Sequence, residues 1–358
     1  MRRTLQAAVT LAGGLAVRAG AGLLGTEYNN IEYLCCDWGP ALTLPSKTNA
    51  AAQFNDAEDE VYFLKQIGSF TRKPALLGGD IGHGISIWLC KMKADGSGKT
   101  EIKELWKNPN YPIDTQGQSA WLDVNRKTRK IALSITFAGS DITGLWTMGL
   151  DGSALARLIE PAILEGGLQS IDCPSWTPDG RWIVFGESLR GAKEKWGRIS
   201  KCDTQGQTLV RFFNGPVDGQ PHVSPDGNTI AYIHWVGAAS RLYLMGLDGT
   251  GQQPLPNPDD KQWQTHGGSY PAWSADGRWI LLSGTGIIDA KKGETIWRGV
   301  PNREGKGHSW GWAHWGKPGV IGYNLTGIHY TDNEIKTSKT LGMSRLVECS
   351  GKAEADRW

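Results

Sequence analysis

One twelve-residue stretch recurs along the chain, and it constrains the fold more than any other feature. Residues 174–185 read Pro-Ser-Trp-Thr-Pro-Asp-Gly-Arg-Trp-Ile-Val-Phe. Residues 221–232 read Pro-His-Val-Ser-Pro-Asp-Gly-Asn-Thr-Ile-Ala-Tyr, and residues 271–282 read Pro-Ala-Trp-Ser-Ala-Asp-Gly-Arg-Trp-Ile-Leu-Leu. The Asp-Gly pairs begin at positions 179, 226 and 276, intervals of 47 and 50 residues. A fixed period in this range belongs to repeat architectures. Pro178 pre-sets φ for the first central position of a type I turn, Asp179 tolerates the second, and Gly180 takes the left-handed conformation that follows. The motif thus predicts a three-residue hairpin connection.

The run Trp182 to Phe185 is apolar at every position, as in a strand covered on both faces. A second strand-and-turn element accompanies the hairpins, at residues 87–96, 145–152 and 242–249, each ending in Asp-Gly. Two hairpins per period make a four-stranded unit, the blade of a β-propeller. The expected fold is all-β: a six-bladed β-propeller of four-stranded antiparallel blades, with seven blades as the alternative. Alignment on Trp176 gives one position per blade: Phe54, Trp121, Trp176, Val223, Trp273 and Trp315. Residues 28–37 and 344–349 have strand character and stand outside this count, to close the ring or build a seventh blade. Residues 66–84, rich in glycine, read as a long connection.

The hairpins resemble the WD40-like PD40 repeats of the TolB family of β-propellers. The resemblance covers residues 50–335, with three sharp copies and degenerate outer ones. The Gly-His and Trp-Asp signature of cytoplasmic WD40 proteins is not repeated here. The resemblance implies the propeller fold and an extracytoplasmic setting, periplasmic or secreted. It carries no catalytic residues with it.

The first 25 residues differ from the rest. Arg2 and Arg3 precede an apolar run from Ala7 to Val17, and Ala19-Gly20-Ala21 offers a small-residue cleavage site. This is the form of a signal peptide, with a twin-arginine flavour. Residues 1–25 are therefore expected to be a signal and residues 26–358 a single propeller domain, with no integral membrane span after signal removal. A net charge of +2 with scattered Lys and Arg gives no polyanion field, so no nucleic acid partner is expected. The six cysteines contain no CxxC, which excludes zinc-ribbon and c-haem readings. After export, Cys35 or Cys36 paired with Cys349 would tie the two chain ends together; buried thiols are the equal alternative.

In a propeller the innermost strand of each blade lines the channel, and the residues leading into it gather at one mouth. Counted back from the aligned positions, His266 and His308 lie seven before, His222 and His314 one before, and Gln118, Gln220 and Tyr270 three before. Asp172 lies four before Trp176, and His83 sits on the glycine-rich stretch. Polar channel positions ordinarily bind water and backbone. As a site, they offer His222, His266 and His308 as metal ligands, Tyr270 and His314 as proton carriers, and Gln118, Asp172 and Gln220 as ligand contacts. Trp310 and Trp312 lie outside the repeat and are candidate stacking faces for a sugar. The repeated tryptophans fit blade-to-blade packing instead.

Two function classes remain. One is an exported binding module for a glycan or protein ligand at the channel mouth. The other is a metal-dependent polysaccharide lyase acting by β-elimination on uronate-containing glycans, with Mn, Zn, Fe or Ca as the candidate metal. Oligogalacturonate lyases are similar in outline, but no motif of theirs maps onto this chain residue by residue. No G-x-S-x-G elbow or phosphate-binding loop is present.

Overall fold

The structure, a computed structural model, describes residues 60–72, 81–93, 98, 100–112, 119–137, 140–160, 163–164, 167–190, 197–212, 217–236, 239–256, 270–274, 276–282 and 286–298, with strand segments at 26–29, 42–43, 52–55, 309–315, 320–331 and 334–345. These form antiparallel sheets in chain order. Sheet I holds Ala52–Asn55, Glu60–Arg72, Ile81–Lys93 and Thr100–Pro112, with Thr26–Asn29 also paired to Glu60–Arg72. Sheet II holds Ser119–Asn125, Lys130–Thr136, Gly144–Gly149 and Ala156–Ile159. Sheet III holds Gly167–Trp176, Trp182–Arg190, Gly197–Asp203 and Leu209–Phe212, with Ile163–Leu164 at its edge. Sheet IV holds Asp218–Val223, Thr229–Val236, Ala239–Gly246 and Gln253–Pro254. Sheet V holds Pro271–Trp273, Trp279–Leu282, Gly286–Asp289 and Thr295–Arg298. Sheet VI holds Ser309–Trp315, Val320–Thr331 and Glu334–Arg345, and its outermost strand, Leu42–Thr43, comes from the other end of the chain. Disulfide pairing of Cys35, Cys36 and Cys349, and the signal segment, lie outside the described residues.

The first strand of each sheet lies against the first strand of the next, from Ala52–Asn55 through to Ser309–Trp315, and Ser309–Trp315 also touches Ala52–Asn55. Sheet faces then meet in pairs, which explains the all-apolar strands. Ile183 and Phe185 pack with Ala132 and Leu145 of sheet II. Val184, one residue out of phase, packs with Val223, Ile230 and Tyr232 of sheet IV. Successive side chains on a strand point to opposite faces, and here both faces are core. All three of Ile183, Val184 and Phe185 are fully buried. The same device joins sheets I and II through Leu64, Leu89, Leu122 and Leu133, and sheets IV and V through Ile233, Leu242, Ile280 and Leu282.

The three sharp hairpins share one hydrogen-bond scheme. Thr177, Ser224 and Ser274 each donate a side-chain hydroxyl to the Asp two residues on, at 2.6, 2.5 and 2.6 Å. The same oxygens accept the N–H of Trp182, Thr229 and Trp279, at 3.0, 2.9 and 3.0 Å. The sequence predicts three connecting residues, but the hydroxyl takes a ladder N–H in place of a carbonyl. The closing pair therefore becomes Thr177–Trp182, with residues 178–181 between. Gly180, Gly227 and Gly277 hold φ of 74°, 77° and 69°, as the turn chemistry requires.

Two expectations shift. Residues 66–72 and 81–84 of the glycine-rich stretch are strand, with His83 opposite Ser69. In sheet II, Asn125 pairs with Lys130 and Val124 with Ile131, as Trp176 pairs with Ile183. Val124, not Trp121, is therefore the counterpart of Trp176. The diverged tip Arg126–Arg129 lacks the Pro-Asp-Gly landmark that would have fixed the alignment.

Candidate functional site at the convergence of the inner strands

Sheets III, IV and VI carry the same irregularity in their first strands. Pairing slips by one residue between Asp172 and Ser175, between Gly219 and His222, and between Gly311 and His314. A β-bulge of this kind re-aims a side chain and recurs beside functional sites. The bulged residues Cys173 and Gln220 hold φ of 49° and 55°, where side-chain-bearing residues are uncommon. In the corrected register, Trp121, Cys173, Gln220 and Tyr270 occupy one equivalent position in four successive sheets.

Three of these meet. Trp121 and Cys173 form one buried cluster with Tyr270 packed against it. The Trp121 and Tyr270 ring centroids lie 4.5 Å apart at an interplanar angle of 42°. The first strand of sheet II therefore meets the residue that leads into the first strand of sheet V. Gln220 is buried at 9% exposure, and its Oε1 has no hydrogen-bond partner among the described residues.

The next-but-one position makes a seam between sheets. Asp123 Oδ2 accepts the Trp176 N–H at 2.7 Å, while its Oδ1 accepts that of Val124 at 2.9 Å. Ser175 Oγ accepts the Val223 N–H at 3.0 Å. His222 Nδ1 accepts the Trp273 N–H at 3.4 Å, and the His222 carbonyl accepts Trp273 Nε1 at 3.2 Å. A carboxylate, a hydroxyl and an imidazole thus do one job in three successive blades. Burial lowers the His222 pKa to about 4, against a smaller opposing pull from a hydrogen bond at Val223. The neutral ring suits an acceptor. Burial raises the Asp123 pKa to about 6, outweighing the N–H groups of Trp176 and Val124 and the charge of Arg126. Deeper in sheet IV, Asp218 Oδ1 lies 2.6 Å from His234 Nδ1. Burial raises the Asp218 pKa and His234 opposes this.

Among the residues singled out in the sequence, Tyr270, Gln220 and Asp172 stand on inner strands or at their start, with Asp172 opposite Gly186 just before the bulge. His222 stands in the inter-sheet seam. His314 and Trp312 lie on Ser309–Trp315, His314 opposite Gly322, and Trp310 opposite Leu325. Gln118, His266 and His308 lie outside the described residues. The offset that singled out Gln118 was counted from Trp121, and the corrected register transfers it to Trp121 itself. Sequence reasoning passed over Trp121, Cys173 and Asp123. The signal that finds them is the Asn125-to-Lys130 interval, equal to that from Thr177 to Trp182. Among the described residues no group of three or more His, Cys, Asp or Glu is arranged to hold a metal ion.

No protein-family model matches the chain. An uncharacterised protein of Agrobacterium fabrum is 26% identical over 159 residues, covering 40% of this chain and 48% of that protein. The Tol-Pal system protein TolB of Francisella tularensis is 27% identical over 109 residues, covering 30% of this chain and 25% of TolB. The chain thus matches less than half the length of these curated relatives. An α-L-arabinofuranosidase of Fusarium graminearum superposes with a TM-score of 0.52 at 14% identity, covering 91% of this chain and 100% of that one. TolB of Acinetobacter baumannii superposes with a TM-score of 0.41 at 13% identity, covering 85% of this chain and 66% of that one. Likeness at such identity speaks to fold alone. The repeats and the antiparallel sheets are those of a β-propeller, and proteins named TolB are among the relatives to which the chain is similar.

Proposed function

We propose that this chain is an exported, closed six-bladed propeller that binds a glycan or protein ligand at a mouth of its channel and performs no chemistry on it. The observation that carries the reading is the Trp121–Tyr270 contact, 4.5 Å between ring centroids, which joins the inner strand of sheet II to the residue that leads into the inner strand of sheet V. In a closed ring such a pair would stand on the axis and block passage, so a ligand would approach from a mouth. His222 supports the same reading, because its Nδ1 is engaged by Trp273 and its pKa of about 4 keeps it uncharged. Trp310, Trp312, His308 and His314 supply the polar-aromatic character of that mouth. Similarity to a protein named as part of the Tol-Pal system supports the protein-ligand alternative. Residues 1–25 act as the export signal, and the mature protein is periplasmic or secreted. Among the described residues no helix is long and apolar enough to cross a membrane.

Hydrogen exchange of the mature protein tests the reading, with an oligosaccharide panel and envelope extract as ligands. Protection is expected on Asp218–Val223, Pro271–Trp273 and Ser309–Trp315. Protection confined to the outermost strands would sink it. Bound metal together with release of ultraviolet-absorbing unsaturated uronides would replace it with β-elimination, in which His222, His266 and His308 hold the metal and Tyr270 or His314 moves the proton.

A further inference from the structure

We propose that the layer formed by Trp121, Cys173, Gln220 and Tyr270 is a subsite for one uncharged sugar ring. The inference rests on the mouth-binding reading and narrows its ligand.

Gln220 carries two costs at once. Its backbone sits at φ of 55°, and its amide oxygen is buried without a donor. A left-handed non-glycine residue and an orphaned buried acceptor each call for a cause, and a ligand supplies one. The direction of the side chain follows from Cys173. That residue has the same bulge in the neighbouring sheet and nearly the same φ, 49°, and its side chain packs on Trp121. Gln220 therefore aims its amide at the same layer. Tyr270 keeps part of its surface exposed, with the buried Trp121 indole behind it. A ring with one C–H face rests on Tyr270, and a hydroxyl at its edge donates to Gln220 Oε1.

Charge decides between a neutral sugar and a uronate. None of the four layer residues is ionic. Burial pushes the neighbouring Asp123 towards its neutral form and holds His222 uncharged. A uronate carboxylate in this layer would leave water for four side chains that carry no positive charge.

Calorimetric titration of the mature protein with D-glucose, D-galactose and D-galacturonate is the test. At least one neutral sugar should bind, with galacturonate at least about tenfold weaker, a gap of about 1.4 kcal/mol. Gln220→Leu should weaken neutral-sugar binding at least about tenfold, a gap of about 1.4 kcal/mol. Tyr270→Phe should preserve binding and Tyr270→Ala abolish it. Gln220→Gly, at ease at positive φ, should raise the melting temperature while losing binding. That split separates a ligand site from a merely structural strain. Equal affinity for galacturonate, an unchanged affinity in Gln220→Leu, or an ordered water only, seen as no binding of either neutral sugar, overturns the proposal. If oligosaccharide or envelope protein still protects the mouth in hydrogen exchange, the subsite falls and the mouth reading stands.

Discussion

At Gly180 a Cβ would stand 2.4 Å from Thr128 Cγ2 on the neighbouring sheet, with φ already at 74°. At Gly277, φ is 69° but the nearest atom to a Cβ is Pro225 Cγ at 3.4 Å, an ordinary contact. Valine at either site takes the backbone strain of about 1–3 kcal/mol. Only Gly180→Val adds an overpacking cost of about 1–3 kcal/mol. Urea titration should therefore show both variants destabilised and Gly180→Val clearly the worse; equal midpoints would contradict the stacked-tip geometry. A second pair isolates polar satisfaction. Ser175 Oγ holds the Val223 N–H, whereas Ser134 Oγ is buried without a partner among the described residues. Ser175→Ala should cost about 1–3 kcal/mol, because it orphans a buried N–H, while Ser134→Ala should be neutral or stabilising. Similar losses in both would mean that the seam bond contributes nothing. These residues also mark the limit of legibility. The turn role of Gly180 is written in Pro-Asp-Gly, but nothing local to Ser175 announces a partner 48 residues away.

At the scale of a blade, the seam position tolerates carboxylate, hydroxyl or imidazole because it needs only an acceptor for the next strand's N–H. This is why His222 looked like a ligand in the sequence: function and seam ask for the same residue type. Gln220 and Tyr270, chosen by matching offsets, occupy equivalent positions in the register of sheets IV and V. The reading of Trp121 failed because one diverged tip shifted the count by three residues, from Val124 to Trp121. The seam carries a pH prediction. His222 has its pKa lowered from 6.5 to about 4 on folding. Between those values the unfolded chain binds a proton that the folded chain refuses, so stability rises with pH across the window. Asp123, raised from 3.8 to about 6, works in the opposite sense, stabilising less as pH rises through its window. His222→Asn keeps an acceptor near the Nδ1 position and removes the titration. The variant should lose less melting temperature than wild type between pH 6.5 and 4, the window set by His222. Parallel melting curves across that range would show that His222 is not held neutral.

For the whole molecule, repetition made the architecture legible and the chain ends were where reading stopped. Three sharp hairpins fixed the period, and apolar strands such as Trp182–Phe185 announced burial on both faces. The ends carry no copy of the motif, so their partners had to come from the structure. There Leu42–Thr43 pairs with Leu341 and Thr340, placing a strand from the start of the chain on the sheet formed at its end. Thr26–Asn29 pairs with Ser69–Arg72 on sheet I. The N-terminal segment thus pairs with both the first and the last sheet, and loss of either contact leaves an unpaired edge. A mature chain shortened to begin at Ala51 removes both strands while leaving every hairpin intact. Its far-UV spectrum should stay β-rich, because four sheets of the repeat are untouched. Its melting temperature should fall, and sedimentation should reveal concentration-dependent association through the uncovered edge of Glu334–Arg345. A shortened protein that melts with the full-length one and stays monomeric would show that these two strands add nothing to what the packed sheet faces already hold together.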